Sequence, residues 1–216
     1  QGARKLWQKV GRRGEPPPAD AVAPSLDVRV ADLEARLAEL ATRQQDSAEL
    51  LAALLSASRH GQDPIYCDTS PCTLRLVQGL DDPRLQIHDP VKFIRSHLLD
   101  RLEFIPQDKP VAVHVTCSTQ HLGESQALID LVGRCTREVV IPEGIHCCGF
   151  AGDKGFTTPE LNAHSLRNLK DAVQFCEEGV STSRTCEIGL SEHGGIDYRG
   201  VVYLVDRVTQ AKGTPR

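Results

Sequence analysis

Methionine is absent from all 216 residues, and the chain begins with Gln1. A complete reading frame opens on methionine, so the sequence is expected to be a fragment, and a motif missing from it says little about the parent protein. No apolar run approaches the roughly 18 residues that a membrane-spanning helix needs. The basic opening from Gln1 to Val10 lacks the apolar stretch of a secretory signal. Positive charge is not in excess either: the net charge of −4 gives no reason to expect nucleic acid as a partner. What remains is a hydrophobic content of 40% and a charged content of 25%, ordinary for a globular chain, in a length that allows one sizeable domain plus an appendage. The unusual quantity is eight cysteines. Without a secretory signal they are poorly read as a disulfide framework. A reducing, cytoplasmic setting with metal-bound thiolates is the better expectation, any membrane association coming through a partner.

Three stretches differ in character. Residues 1–24 are basic and then proline-rich, with Pro16, Pro17, Pro18 and Pro24 favouring an extended, disordered linker. Residues 25–60 read as an amphipathic or coiled-coil helix. Leu26, Val30, Leu33, Leu37, Leu40, Gln44, Ser47, Leu51 and Leu54 fall at alternating four- and three-residue steps, the a/d spacing of a heptad seam. Gln44 and Ser47 put a polar step in that seam. Such a helix either self-associates or docks on a partner helix, or else it packs on its own domain. From residue 64 to 211 short apolar strands (Ile65–Cys67, Leu85–His88, Val111–Val115, Val139–Ile141) alternate with helical stretches. Asp89-Pro90 and Thr158-Pro159 are cap-plus-proline starts for helices over Val91–Leu102 and Glu160–Phe175. This alternation predicts an α/β layered domain with short parallel strands and flanking helices.

The cysteines carry the chemistry. Cys147 and Cys148 are adjacent and followed by Gly149. Neighbouring cysteines are too close for an unstrained disulfide, so both thiols face outward, and an iron–sulfur or other metal centre is the usual consumer of thiolates so presented. Glycine lets the backbone pass close to a bulky inorganic group. Cys117 follows an apolar strand, and Cys186 sits in a serine- and threonine-rich turn, so four cysteines from three distant loops could hold a [4Fe–4S] cluster. Zinc also accepts four thiolates, and four buried structural thiols are the plain alternative. Ser118, Gly149, Asp153 and Lys154 lie near enough in sequence to act around the centre, Lys154 by offsetting its negative charge. His114 and His146 precede cysteines and are open to ligation or proton transfer, although an isolated histidine is usually structural. Cys135 and Cys176 fall among apolar neighbours and read as core. Thr69 to Cys72 echoes Thr182 to Cys186, each with leucine four residues on (Leu76 and Leu190), a faint internal repeat. On that basis Cys72 is a possible further ligand, whereas a role for Cys67 in a second centre stays open.

Three stretches together carry a family resemblance: Cys147 to Asn162 (CCGFAGDKGFTTPELN), Ser183 to Leu190 (SRTCEIGL) and His114 to Ser118 (HVTCS). They resemble the C-terminal cysteine-rich (CCG) domain of FAD-linked D-lactate dehydrogenases. The same module type is similar to those of heterodisulfide reductase, glycolate oxidase and anaerobic glycerol-3-phosphate dehydrogenase iron–sulfur subunits. The resemblance extends over roughly residues 64–211. It implies that Cys117, Cys147, Cys148 and Cys186 bind the cluster, that electrons arrive from FAD after oxidation of a D-2-hydroxy acid, and that they leave towards a quinone or cytochrome. Nothing in the chain resembles the FAD-binding domain, so FAD is expected on a missing portion or on a partner dehydrogenase subunit, and this chain alone is expected to be inert towards lactate. The compact ferredoxin-type cysteine runs that usually precede the module are absent as well. Residues 1–60 have no counterpart in the family. Cys186 is followed by Glu187, Ile188 and Gly189 where the heterodisulfide reductase branch has a second cysteine, which argues against a cluster with extra thiolates.

Overall fold

The computed structural model describes residues 26–213, so the proline-rich stretch expected to be a linker lies outside the described residues. The chain divides into two units, residues 1–47 and 48–216. Leu26–Ala57 is one continuous helix, α1, as the heptad spacing predicts. The polar step does not interrupt it; the Ser47 hydroxyl donates back to the Arg43 carbonyl one turn earlier, as the Thr42 hydroxyl does to Ala38. Arg36 pairs with Asp32 and Arg43 with Glu39 along the exposed surface, worth a few tenths of a kcal/mol each. The seam residues Val30, Leu33, Leu37 and Leu40 are 44–65% exposed. None of the described helices is long and apolar enough to cross a membrane.

The second unit alternates strand and helix. Its first part comprises β1 (Ile65–Tyr66), α2 (Ser70–Leu80), β2 (Ile87–His88) and α3 (Pro90–Phe93), followed by a π-helical turn (Ile94–Leu98) and β3 (Leu102–Phe104). The expected helix over Val91–Leu102 is therefore shorter. It widens into the π turn, where Leu99 N–H reaches back to the Ile94 carbonyl, and Leu102 already belongs to a strand. The second part runs β4 (Val111–Val113), α4 (Cys117–His121), α5 (Ser125–Gly133), β5 (Val139–Val140), α6 (Lys154–Thr157), α7 (Pro159–Ser165), α8 (Leu169–Ala172), β6 (Glu178–Ser181), α9 (Arg184–Gly194), β7 (Asp197–Gly200), α10 (Val201–Arg207) and β8 (Thr209–Ala211). The single helix expected over Glu160–Phe175 is broken at Leu166–Asn168, yet Asn162, Leu166, Leu169 and Val173 still form one buried stripe.

Four strands form an all-parallel sheet in the order β5-β4-β6-β7, while β1 pairs with β2 in parallel and β3 with β8 antiparallel. Side-chain alternation along β4 divides the core in two. Val111 and Val113 point into one cluster with Val91, Leu128, Leu131, Val180 and Leu204. Ala112 faces the other, with Phe150, Leu166, Leu169, Leu190 and Tyr198. Helices α3, α5 and α10 thus cover one face and α7, α8 and α9 the other. Full burial of each such aliphatic side chain stabilises by about 2 kcal/mol, and together they hold the short strands in register. The chain leaves β4 for β5 on one side and returns to β6 on the other. That reversal opens a crevice at the carboxyl ends of β4 and β6, the place where open parallel sheets bind ligands.

Asp89 caps α3 as the sequence predicts: its Oδ1 accepts from Lys92 N–H at 2.8 Å. Its Oδ2 is buried without a partner among the described residues, and burial pushes the carboxyl pKa up. A carboxyl with a raised folded-state pKa binds its proton more tightly in the native state, so stability falls as pH climbs from the ordinary carboxylate range through the folded value. Asn keeps the cap and removes the unpartnered charge. Asp89→Asn is expected to stabilise the protein by about 1 kcal/mol at neutral pH and to lose that advantage near pH 4. Urea melts at the two pH values test this; a variant less stable than the wild type at neutral pH would contradict it.

Candidate metal centre

Three strand-to-loop transitions deliver the cysteines to the crevice. Beyond β4, Thr116 caps α4 by accepting from Thr119 N–H through its hydroxyl, which puts Cys117 at the first helical position. Beyond β5 the loop carries Cys147 and Cys148. After β6, Ser183 precedes α9, whose first turn holds Cys186. All four line one open cavity of about 400 Å³. Cys148 and Cys186 form its buried floor, and Cys117 and Cys147 stand exposed at its mouth.

The Cys148 and Cys186 sulfurs are 2.9 Å apart. The hydrogen bond with Cys186 lowers the Cys148 pKa to about 7, while that same bond pushes Cys186 up. Burial, with the neighbouring Cys147 next, raises Cys117. His114 does not line the cavity but lies beside these two sulfurs. Its ring is buried, which lowers its pKa to about 4 and keeps the imidazole neutral. A ring nitrogen of His114 and the sulfurs of Cys148 and Cys186 all lie within 4.8 Å of one another. Soft thiolates and a neutral imidazole are donors suited to zinc, iron and iron–sulfur centres. The donor set therefore fits a metal group.

Two small structural devices fix Cys148. Gly149 has φ +72°, and a Cβ there would lie 2.5 Å from the Leu161 carbonyl oxygen. Buried Asn162 donates its side-chain amide to the Cys148 carbonyl. Gly189 of α9 leaves room for that amide, since a Cβ in its place would come within 2.4 Å of Asn162 Nδ2. Asn162 lies in the same run as the cysteine pair, but nothing in its spacing identified it as a holder of the pair.

The other expected residues are distributed unevenly. Ser118 lines the cavity. Asp153 and Lys154 are exposed at the start of α6 and do not line it. Cys72 is exposed in the first turn of α2, off the cavity wall, although the echo with Cys186 is real in structural terms: both sit where an 11-residue helix begins. Cys67 is half-buried near the Thr69 carbonyl. His146 is exposed. Cys135 and Cys176 are core residues; burial raises the Cys135 thiol to about 12. Cys135→Ala is accordingly expected to cost about 1 kcal/mol of stability while leaving metal content unchanged, as melting curves and metal analysis would register. Loss of metal in this variant would overturn the separation of core from site cysteines.

Sequence spacing did not reveal that α2 supplies a wall. Pro71, Leu74, Arg75 and Gln78 face the cavity at helical spacing, and His121 of α4 joins them. A buried hydroxyl cluster seats α2. Ser70 Oγ lies 3.0 Å from Thr116 Oγ1, 2.7 Å from Ser118 Oγ and 2.9 Å from Thr182 Oγ1, and Ser70 N–H donates to the Thr182 carbonyl at 2.9 Å. Buried hydroxyls with every partner in place are individually modest but costly to disrupt.

Residues 111–191 match the family model of the cysteine-rich domain, CCG. The chain is similar to the glycolate oxidase iron–sulfur subunit of Escherichia coli (strain K12), with 29% identity over 131 residues, covering 56% of this chain and 31% of that protein. It thus spans about a third of the length of the relative it matches. Cys117, Cys147, Cys148 and Cys186 all fall within residues 111–191, the stretch that matches the CCG cysteine-rich domain model.

Proposed function

We propose that the cavity at the β4/β6 crevice holds an iron–sulfur cluster, bound by Cys117, Cys147, Cys148 and Cys186, and that the chain is an electron-transfer module of an FAD-linked oxidase. The observation that carries this reading is the convergence of four cysteines from three loops on one cavity. A cluster there, of the [4Fe–4S] type by its four thiolates, supplies one-electron steps between a two-electron donor and a one-electron chain. The chain's own residues bind and orient. Cys148 and Cys186 hold from the buried floor, and buried Phe150 adds an apolar wall to the same cavity. Exposed Cys117 and Cys147 keep one edge within reach of a partner. Two-electron oxidation of a 2-hydroxy acid would take place at FAD on a partner subunit or on a portion of the protein not in this sequence. The similarity to a glycolate oxidase subunit supports that acid class, with D-lactate the finer assignment and a quinone or cytochrome the acceptor. The exposed seam of Leu33, Leu37 and Leu40 supports assembly through α1.

A second reading has an observation of its own. The compact His114–Cys148–Cys186 set spans no more than 4.8 Å, a separation that one tetrahedral ion can bridge. It would make this a zinc-stabilised interaction module without redox activity. Optical spectra of anaerobically purified protein discriminate between the two: a brown, dithionite-bleachable sample supports the cluster, whereas a colourless protein carrying one zinc supports the alternative.

A further inference from the structure

We propose that Arg75, on α2, sets the reduction potential of the centre held in the cavity by supplying the positive charge that faces it; the inference rests on the cluster reading above. Among the side chains that line the cavity, Arg75 is the one that carries a permanent charge. The rest are cysteines, hydroxyl residues, apolar groups, Gln78 and His121. No ion pair or hydrogen bond engages the Arg75 guanidinium among the described residues, so its charge is not neutralised by a carboxylate. The cations and anions expected near the centre from the sequence, Lys154 and Asp153, fall outside the lining.

The position of Arg75 is built into the fold. Pro71, Leu74, Arg75 and Gln78 share one face of α2. Ser70, at the start of that helix, is locked into the hydroxyl cluster with Thr116, Ser118 and Thr182, all in the loops that carry Cys117 and Cys186. The helix and the cysteine-bearing segments are thus tied to each other five residues before the arginine. A centre bound by four thiolates is anionic, and one added electron makes it more so. A nearby cation stabilises the reduced form more than the oxidised one. The charge comes from α2, outside the matched residues 111–191, so the first part of the second unit contributes to function and not only to packing. Arg75 is itself exposed, and the effect is therefore moderate and sensitive to salt.

The test is an anaerobic redox titration of the full chain, as wild type, Arg75→Gln and Arg75→Lys, at pH 8 in about 0.1 M and about 1 M salt, where the screening length falls from about 10 to about 3 Å. In low salt Arg75→Gln is expected to shift the one-electron equilibrium towards the oxidised form by about three- to tenfold, tenfold being 59 mV. Arg75→Lys should stay close to wild type, and the gap should narrow in high salt, with iron and sulfide per chain equal in all three proteins. An unchanged potential in a fully loaded Arg75→Gln overturns the assignment while leaving the cluster reading intact. So does a shift that Lys fails to rescue and salt fails to reduce, which would mark Arg75 as a structural residue. A wild type without iron overturns both.

Discussion

Cys148→Ser is expected to empty the centre. Cys148 is buried, 2.9 Å from Cys186 and within 4.8 Å of a His114 nitrogen. Its lowered pKa of about 7 makes a thiolate available at neutral pH. A serine hydroxyl has almost the same size but is far less acidic, so the substitution removes the ligand while sparing the packing. Iron should fall from about four to under about one per chain, and the visible absorption should vanish, while the far-ultraviolet dichroism stays close to wild type. Cys147→Ser, at the exposed mouth, is expected to lose less iron at first and to bleach faster in air. Retention of full iron and colour by Cys148→Ser would mean that the buried pair is structural.

Gly149→Ala is expected to damage both the fold and the centre. At φ +72° a side-chain-bearing residue is strained, by about 1–3 kcal/mol. The added Cβ would also meet the Leu161 carbonyl at 2.5 Å and the Ser165 hydroxyl at 2.6 Å. Backbone cannot swing aside as a side chain can, so the loop or α7 must move. Either movement breaks the amide contact by which Asn162 holds the Cys148 carbonyl. A loss of about 3 kcal/mol or more and a parallel loss of metal are expected, measured by urea unfolding and metal analysis on the same samples. Alanine at Gly144, where a Cβ would meet nothing within 4 Å although φ is +72°, provides a control for the backbone strain alone. Equal effects at the two glycines would show that the close approach to α7 does not matter.

How far the sequence reaches is visible in particular residues. That the adjacent cysteines, Cys117 and Cys186 would stand in loops at strand ends was legible from their local surroundings, and the structure gathers all four at one cavity. Asp89-Pro90 announced a helix start, and Asp89 does cap it. The α/β alternation over the second unit was legible for the same reason, but β6 and β7 were not. Glu178-Gly-Val-Ser181 and Asp197-Tyr-Arg-Gly200 are too short and too polar to stand out, and their pairing makes them strands. Expected proximity also failed where the chain turns sharply. Lys154 is six residues from Cys148, yet the left-handed positions Gly149, Ala151 and Gly152 turn the backbone between them, and the lysine ends outside the cavity. Arg75 lies 111 residues before Cys186 in the chain and shares its cavity. No spacing rule connects them; the link is Ser70, whose hydroxyl meets Thr182 across 112 residues. Long-range contacts of that kind are made by the fold and leave little local trace.

The most direct test of the cluster reading is iron, sulfide and zinc analysis with electron paramagnetic resonance on anaerobically purified protein. The account predicts about four irons and about four sulfides per chain, with a signal that dithionite reduction brings up or removes. A colourless, resonance-silent protein carrying one equivalent of zinc would contradict it.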